Sequence, residues 1–216
     1  MALPHARQPH QRAGDEVVTV SEFPRDVTVV IPHIPTRPNA LVRAVKSAAT
    51  QTIRPLDIII ATDLGREGAA GTRNRALARA TTTWVAFLDD DDVLLPQHLE
   101  TLLKHAEVTG GDVVYAGCRV LNEQGQVVPQ REEWGRFGMP FNAELLRSKA
   151  YLPVTCLARR ELAQRAWFEA PEGSLYDDWG FYLRMLDLGA KFSHVPEVTW
   201  IWHHNGKNTS GQADRW

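Results

Sequence analysis

Thr83-Trp84-Val85-Ala86-Phe87-Leu88-Asp89-Asp90-Asp91-Asp92 is an apolar, β-prone run that ends abruptly in four consecutive carboxylates. Such a run reads as a strand buried on both faces, as in the middle of a sheet covered by helices. In open α/β sheets ligands bind beyond the carboxyl ends of the strands, so the aspartates sit where a site belongs. Adjacent carboxylates repel one another and are tolerated best when a cation neutralises some of them or when they reach water. Their oxygens are hard ligands that suit Mg²⁺ or Mn²⁺ rather than zinc. The plainer reading is a solvated loop capping the helix after Pro96, but a cap needs one Asp and not four. An EF-hand fails for want of the turn glycine and the closing glutamate.

Outward from this run the pattern alternates. Asp26–Ile31 (DVTVVI) is a strand stopped by Pro32, and Pro38–Gln51 is a helix with Ala40, Leu41, Ala44, Val45, Ala48 and Ala49 at helical spacing. Leu56–Ala61 is a second strand and Ala69–Ala80 a second helix. After the aspartates, Gln97–Glu107 carries an apolar stripe of Leu99, Leu102, Leu103 and Ala106, and Asp112–Arg119 is a further strand. Strands alternating with helices predict an α/β fold with a mainly parallel central sheet and helices on both faces. The rhythm then changes. Arg119–Pro129 reads as a hairpin turning near Asn122 to Gly125, followed by an irregular stretch to about Phe141. Val154–Ala158 is a strand, Arg160–Ala166 a short helix, and Asp178–Leu188 a helix with Trp179, Tyr182, Leu183 and Leu186 on one face. Phe192–His194 and Glu197–Trp202 finish the sheet. No linker separates two domains, so residues 26–204 are expected to form one, flanked by a mobile arm over 1–25 and a tail or lid over 205–216. Val17–Val20 reads alternatively as an edge strand.

The 216 residues include 24 Lys and Arg against 26 Asp and Glu, a formal net charge of -2. This balance argues against a dedicated nucleic-acid surface. No apolar run approaches the roughly 20 residues of a membrane span. Cys118 and Cys156, the only cysteines, have neither CxxC spacing nor zinc-ligand company, and the first 22 residues have no apolar signal core. A cytoplasmic location with two buried thiols is expected, with a single disulfide as the alternative.

Three other places carry chemistry. Gly65, Gly68 and Gly71 punctuate a loop opening into Arg73-Asn74-Arg75; the spacing is not a dinucleotide fingerprint, and no phosphate-loop lysine completes it. With Arg73 at a helix start, the segment suggests an anion pocket. Asp63, at the end of the second strand, suits either a base or ribose hydrogen bond or a simple turn. Asp177-Asp178 open the helix beginning near Trp179. Spacing alone favours a helix cap, while the helix dipole would keep a carboxylate there ionised, as a general base requires. Both roles can coexist, Asp177 capping and Asp178 facing a site. Finally, alternation puts Trp200, Trp202 and His204 on one strand face and His203 on the other. The tryptophans read as core or as a stacking wall, and one histidine as a metal ligand.

With these residues in hand, the chain resembles a glycosyltransferase of the GT-A (Rossmann-like) fold, and most closely glycosyltransferase family 2, over about Asp26 to His204. VTVVIP opens the sheet as in that family, and FLDDDD resembles its FLDxDD element, the DxD motif. GAAGTRNRAL is similar to its glycine-then-ARN stretch, YDDWGFYLRML to its ED-W element, and HHNGKNTS to its C-terminal His segment. The resemblance implies nucleotide-sugar contacts at Pro32, Thr36, Arg37, Asp63, Arg73, Asp89, Asp90 and Asp91. It also implies a metal, Mn²⁺ or Mg²⁺, on Asp91, Asp89 and His204. Asp178 takes the role of catalytic base, with Asp177 and Trp179 near the sugar or acceptor. Residues 26–120 then form the nucleotide-sugar half and 121–204 the acceptor half. The implied reaction is inverting transfer from a nucleoside diphosphate sugar, UDP favoured over GDP, to an acceptor hydroxyl. The chain departs from the pattern at Pro35-Thr36-Arg37-Pro38, where the family usually has P-T-Y-N-R, and in having Asp177 in place of Glu. The competing expectations are a metal-dependent nucleotidyltransferase or phosphohydrolase, disfavoured because Pro32–Pro38 contains no glycine, and a non-catalytic sugar- or nucleotide-binding module.

Overall fold

The computed structural model describes residues 26–129 and 138–204. The expected N-terminal arm, the C-terminal lid and part of the irregular stretch before Phe141 lie outside the described residues. Along the chain the elements are β1 (Val27–His33), α1 (Pro38–Ala49), β2 (Asp57–Thr62), α2 (Gly68–Leu77), β3 (Trp84–Phe87) and β4 (Val93–Leu94). They continue with α3 (His98–Thr109), β5 (Val113–Leu121), β6 (Val127–Val128), α4 (Ala143–Ser148), β7 (Cys156–Arg159), α5 (Arg160–Ala166), α6 (Asp177–Asp187) and β8 (Phe192–His203).

The strands form one sheet in the order β2-β1-β3-β7-β5-β8-β4, with β6 hairpinned onto β5. Its first part is parallel, as the alternation predicts: β1 pairs with β2 and with β3. Beyond β3 the sheet is mixed, because β7 inserts antiparallel to both β3 and β5 while β5 and β8 run parallel.

Period-two alternation sorts each strand's side chains between two cores. Val30, Val85, Phe87, Val113 and Tyr115 face a cluster completed by α2, α4, α5 and α6. Val29, Ile31, Trp84, Ala86, Val114 and Ala116 face one completed by α1 and α3. The stripe read from α3 is fully committed, with Leu99, Leu102, Leu103 and Ala106 all buried. Gly110, at φ 66°, ends that helix in the left-handed conformation that L side chains resist.

The structure corrects several boundaries. β1 does not stop at Pro32 but continues through it, Pro32 lying opposite Ala61. Leu88 N–H bonds to the Val30 carbonyl and Asp63 N–H to that of His33, so Pro32 presents its backbone toward β3. There the pairing with β3 has already ended, and the missing N–H costs no ladder bond. The two short strands expected near the C-terminus are one strand, β8. Its register against β5 jumps from Val195 opposite Ala116 to Val198 opposite Gly117, at the Pro196-Glu197 step where a break was expected. The two-residue β4 and the six-residue α4 are too short to show a period in the sequence. The Asn122–Gly125 hairpin is where it was read, with Val120 opposite Val128. Cys118 and Cys156 are both buried, on β5 and β7, with no disulfide between them, and burial pushes both thiols up to about 12.

Candidate active site

The tetra-aspartate turn has two kinds of members. Asp90 and Asp92 are buried, each about 3% exposed, whereas the Asp89 and Asp91 side chains reach solvent. Asp90 points back at the end of β1, accepting from His33 Nδ1 at 2.7 Å and from the Ile34 amide at 2.9 Å. Asp92 points to the end of β8 and accepts the His203 amide at 2.9 Å. The turn is closed by Asp92 N–H on the Asp89 carbonyl. Two of the four acids therefore tie the loop to two strands and leave the alternate pair facing solvent. None caps α3, whose N-cap is Gln97 with no side-chain bond. This disposes of the plain capping reading.

Arg73 joins the first acidic cluster to the second. Its guanidinium donates to Asp89 Oδ1 at 2.8 Å and to Asp177 Oδ2 at 2.7 Å. It lies in the middle of α2 rather than at its start, because Asp63 anchors the turn earlier: the Asp63 carboxylate accepts the Glu67 and Gly68 amides, both at 2.9 Å. Those partners are the ones expected of a turn-forming aspartate. Arg75 faces the other way, pairing with Glu67 and donating to the Thr62 carbonyl. The two carboxylates hold the Arg73 guanidinium firmly charged despite its burial. Its Nε is buried without a hydrogen-bond partner among the described residues.

The pocket under Arg73 is built by residues that sequence reasoning left unassigned. Asn74 clamps the backbone of Phe168 with two 2.8 Å bonds, one donated to the carbonyl and one accepted from the amide. That fixes the Phe168 ring under the guanidinium, 4.8 Å from its centroid, and stacked on Phe181 at 4.1 Å. Arg184 gathers the carbonyls of Ala166, Trp167 and Glu169. The strap passes so close to α6 that a Cβ on Gly180 would stand 1.9 Å from the Glu169 carbonyl oxygen. The one sequence signal for this brace was Asn74's place inside the Arg73-Asn74-Arg75 run.

The second acidic pair divides its work differently from expectation. Asp177 turns toward Arg73 instead of capping, while the Asp178 carboxylate accepts the neighbouring Trp179 amide at 2.8 Å. The helix dipole does not keep Asp178 fully ionised. Burial and the charge of Asp177 outweigh it and push the carboxyl up to about 7, Arg73 acting in the opposite sense. Trp179 donates its indole N–H to the Leu146 carbonyl at 2.7 Å, which ties α4 to α6.

On the other side of the turn, Arg37 Nη1 meets Asp91 Oδ2 at 2.5 Å and lies 3.4 Å from Asp90. Thr36, Arg37 and Asp91 line a cleft of about 560 Å³ together with His203 and His204. Burial and the Asp89 charge raise the Asp91 carboxyl to about 6. Trp200 is core, donating to the Ala116 carbonyl, and Trp202 packs on His204 with ring centres 4.9 Å apart. Burial lowers the basicity of His203, which shares the cleft with His204.

Among the described residues, no three His, Cys, Asp or Glu side chains converge into a ready-made metal set, so Asp89, Asp91 and His204 are not gathered as one. What is present is a pair of solvent-reaching carboxylates at a crowded turn. An oxygen-only pair of this kind has the donor chemistry that a hard divalent ion takes. Also among the described residues, no helix is long and apolar enough to cross a membrane.

Comparison with known proteins places this arrangement in context. The family model described as Glycosyl transferase family 2 matches residues 64–169. The "Uncharacterized glycosyltransferase YwdF" of Bacillus subtilis is 24% identical over 197 residues, covering 79% of this chain and 72% of that protein. The "Succinoglycan biosynthesis protein ExoW" of Rhizobium meliloti is 28% identical over 190 residues, covering 67% of this chain and 58% of that protein. Among solved structures, S. aureus TarS 1-349 in complex with UDP-GlcNAc superposes with a TM-score of 0.67 at 18% identity, covering 87% of this chain. The same TarS fragment in complex with UDP gives a TM-score of 0.65 at 17% identity. The chain spans about 60% of the length of each TarS fragment.

Proposed function

We infer that this chain, a glycosyltransferase family 2-like protein of GT-A fold, transfers a sugar from a nucleoside diphosphate sugar to an acceptor hydroxyl. The observation that carries the reading is the Arg73 bridge. It places the carboxyl end of β3, where a donor diphosphate belongs, one guanidinium away from the acidic start of α6. In this reading the donor diphosphate and the proton acceptor lie on either side of that one buried cation. The UDP and UDP-GlcNAc complexes of TarS favour a uridine diphosphate donor.

In this reading the base and ribose lie against Pro32, Thr36 and Asp63, at the carboxyl ends of β1 and β2. Arg73 and Arg37 present planar guanidinium groups to the diphosphate oxygens. Asp89 and Asp91 would hold a Mn²⁺ or Mg²⁺ ion, with His204 lining the cleft beside Asp91. When bound, that ion supplies Lewis-acid neutralisation of the charge growing on the leaving diphosphate. Asp178 takes the proton from the acceptor hydroxyl as its oxygen attacks the anomeric carbon. The new C–O bond forms on the face opposite the breaking bond to the diphosphate, so the anomeric configuration inverts. Asp177 holds Arg73 in place, and Trp179 fixes the helix that carries the base.

The test is release of UDP from a UDP-sugar panel with Mn²⁺, comparing the wild type with Asp178→Asn. The variant is expected to bind the donor as well as the wild type and to lose turnover at least about 100-fold, the contribution of a positioned base. Unchanged turnover would take the role from Asp178.

A further inference from the structure

We propose that Arg37 is the resident counter-ion of Asp91 and makes divalent-ion binding there conditional on the donor nucleotide. The proposal rests on the metal reading above and adds a competition that this chain's own sequence builds in.

The position of Arg37 is fixed by its backbone. Its amide bonds to the Ile34 carbonyl and its carbonyl accepts Leu41 N–H. It is the N-cap residue of α1, directly ahead of Pro38, whose ring locks the first helical residue. From that anchor the side chain reaches Asp91 Oδ2 at 2.5 Å, so a cation approaching that oxygen meets a positive charge already in place. An Arg side chain is long enough to swing away while its backbone stays put. The cleft beside it, also lined by Asn39, Arg43 and His204, gives it room to do so.

Departure of Arg37 leaves little unsatisfied behind it. Asp90, its weaker partner at 3.4 Å, keeps its bonds from His33 and the Ile34 amide. Only Asp91 loses its counter-charge, and a divalent ion restores it. The diphosphate in turn offers the guanidinium a bidentate partner at least as good as a single carboxylate oxygen. Nucleotide arrival therefore exchanges partners: the ion takes Asp91, and Arg37 takes phosphate. Without nucleotide the exchange has no second half, and the ion must displace Arg37 into water. This chain should accordingly bind the bare metal poorly and the metal-nucleotide pair well.

The experiment titrates Mn²⁺ into the full chain and follows the free-ion electron paramagnetic resonance signal, with and without UDP. It compares the wild type with Arg37→Gln and Arg37→Lys, with thermal melting to establish that each is folded. Removing a positive charge that touches the ligand should tighten bare Mn²⁺ binding in Arg37→Gln by about tenfold or more. The gain in Mn²⁺ affinity on adding UDP should shrink in the same variant. Arg37→Lys, which keeps the charge without the planar fork, should stay closer to the wild type. Equal bare Mn²⁺ affinities in wild type and Arg37→Gln, with UDP strengthening both alike, would overturn the competition while leaving the metal site standing. No Mn²⁺ binding by either protein in the presence of UDP would overturn the metal reading, and this proposal with it.

Discussion

Arg73 and Asp177, 104 residues apart in sequence, meet at 2.7 Å, and the same guanidinium holds Asp89 at 2.8 Å. Three charges from α2, the β3 end and α6 thus share one buried junction. Removing the cation should cost more than removing either anion, since it strands two carboxylates in a poorly solvated place. The Asp89 side chain is 36% exposed, so the expected loss for Arg73→Ala is about 2 kcal/mol, below the range for fully buried pairs. Urea denaturation checks this, and Arg73→Ala combined with Asp177→Asn should recover part of the loss. Strictly additive losses would show that the two residues are not coupled.

The alternation within the aspartate turn separates stability from binding. Asp90→Ala strands the Ile34 amide and the His33 ring, and is expected to cost about 1–3 kcal/mol in denaturant midpoint analysis. Asp91→Ala should leave stability nearly unchanged and weaken donor binding instead. The reverse ranking would show that Asp90 and Asp91 do not divide stability and binding between them.

Asp178 supplies a pH signature with a definite sign. Its folded carboxyl is raised from 3.8 to about 7, so the folded state holds a proton that the unfolded chain has already released across that interval. The associated stability is complete below the unfolded value and is lost as pH rises through about 7. Asp178→Asn, which keeps a neutral side chain throughout, should therefore melt higher than the wild type at pH 8, and the difference should close toward pH 4. In the wild type, turnover per bound donor should rise with pH as a single-proton limb centred near 7. A flat profile across that range would be inconsistent with Asp178 as the base.

Gly180 tests the packing that carries the base. A methyl group there would stand 1.9 Å from the Glu169 carbonyl, so either α6 or the strap must move. Gly180→Ala should cost about 1–3 kcal/mol, despite the better helix propensity of alanine. A more stable variant, measured by thermal unfolding, would show that the strap yields freely.

Much of this arrangement was legible in the sequence because periodicity and chemistry coincided there. The buried run at Trp84–Phe87 reported both a central strand and, through its aspartates, the place of the site. The α3 stripe and the Asn122 hairpin were equally direct. Pro32 misled because the proline rule assumes a paired neighbour on both sides, and β1 loses one of its neighbours just there. β7 was visible as a strand, but its antiparallel insertion between β3 and β5 depends on contacts far apart in the chain, which local pattern does not encode. The same limit hid the partners of Arg73: its charge and its place in a helix were readable, whereas Asp177 came to it through the folding of eight intervening elements. Asp178 illustrates a weighing of forces. Its helix-start position was evident, but only the three-dimensional surroundings show that burial beats the dipole.

A donor site built on Asp89, Asp91 and Arg73 is tested directly by calorimetric titration of the protein with a UDP-sugar. With Mn²⁺ present, one saturable site is expected, weakened at least about tenfold by EDTA or by Asp91→Ala, as loss of a charge-assisted contact would produce. Absence of binding by UDP- and GDP-sugars alike, or binding that neither EDTA nor Asp91→Ala alters, would contradict the account.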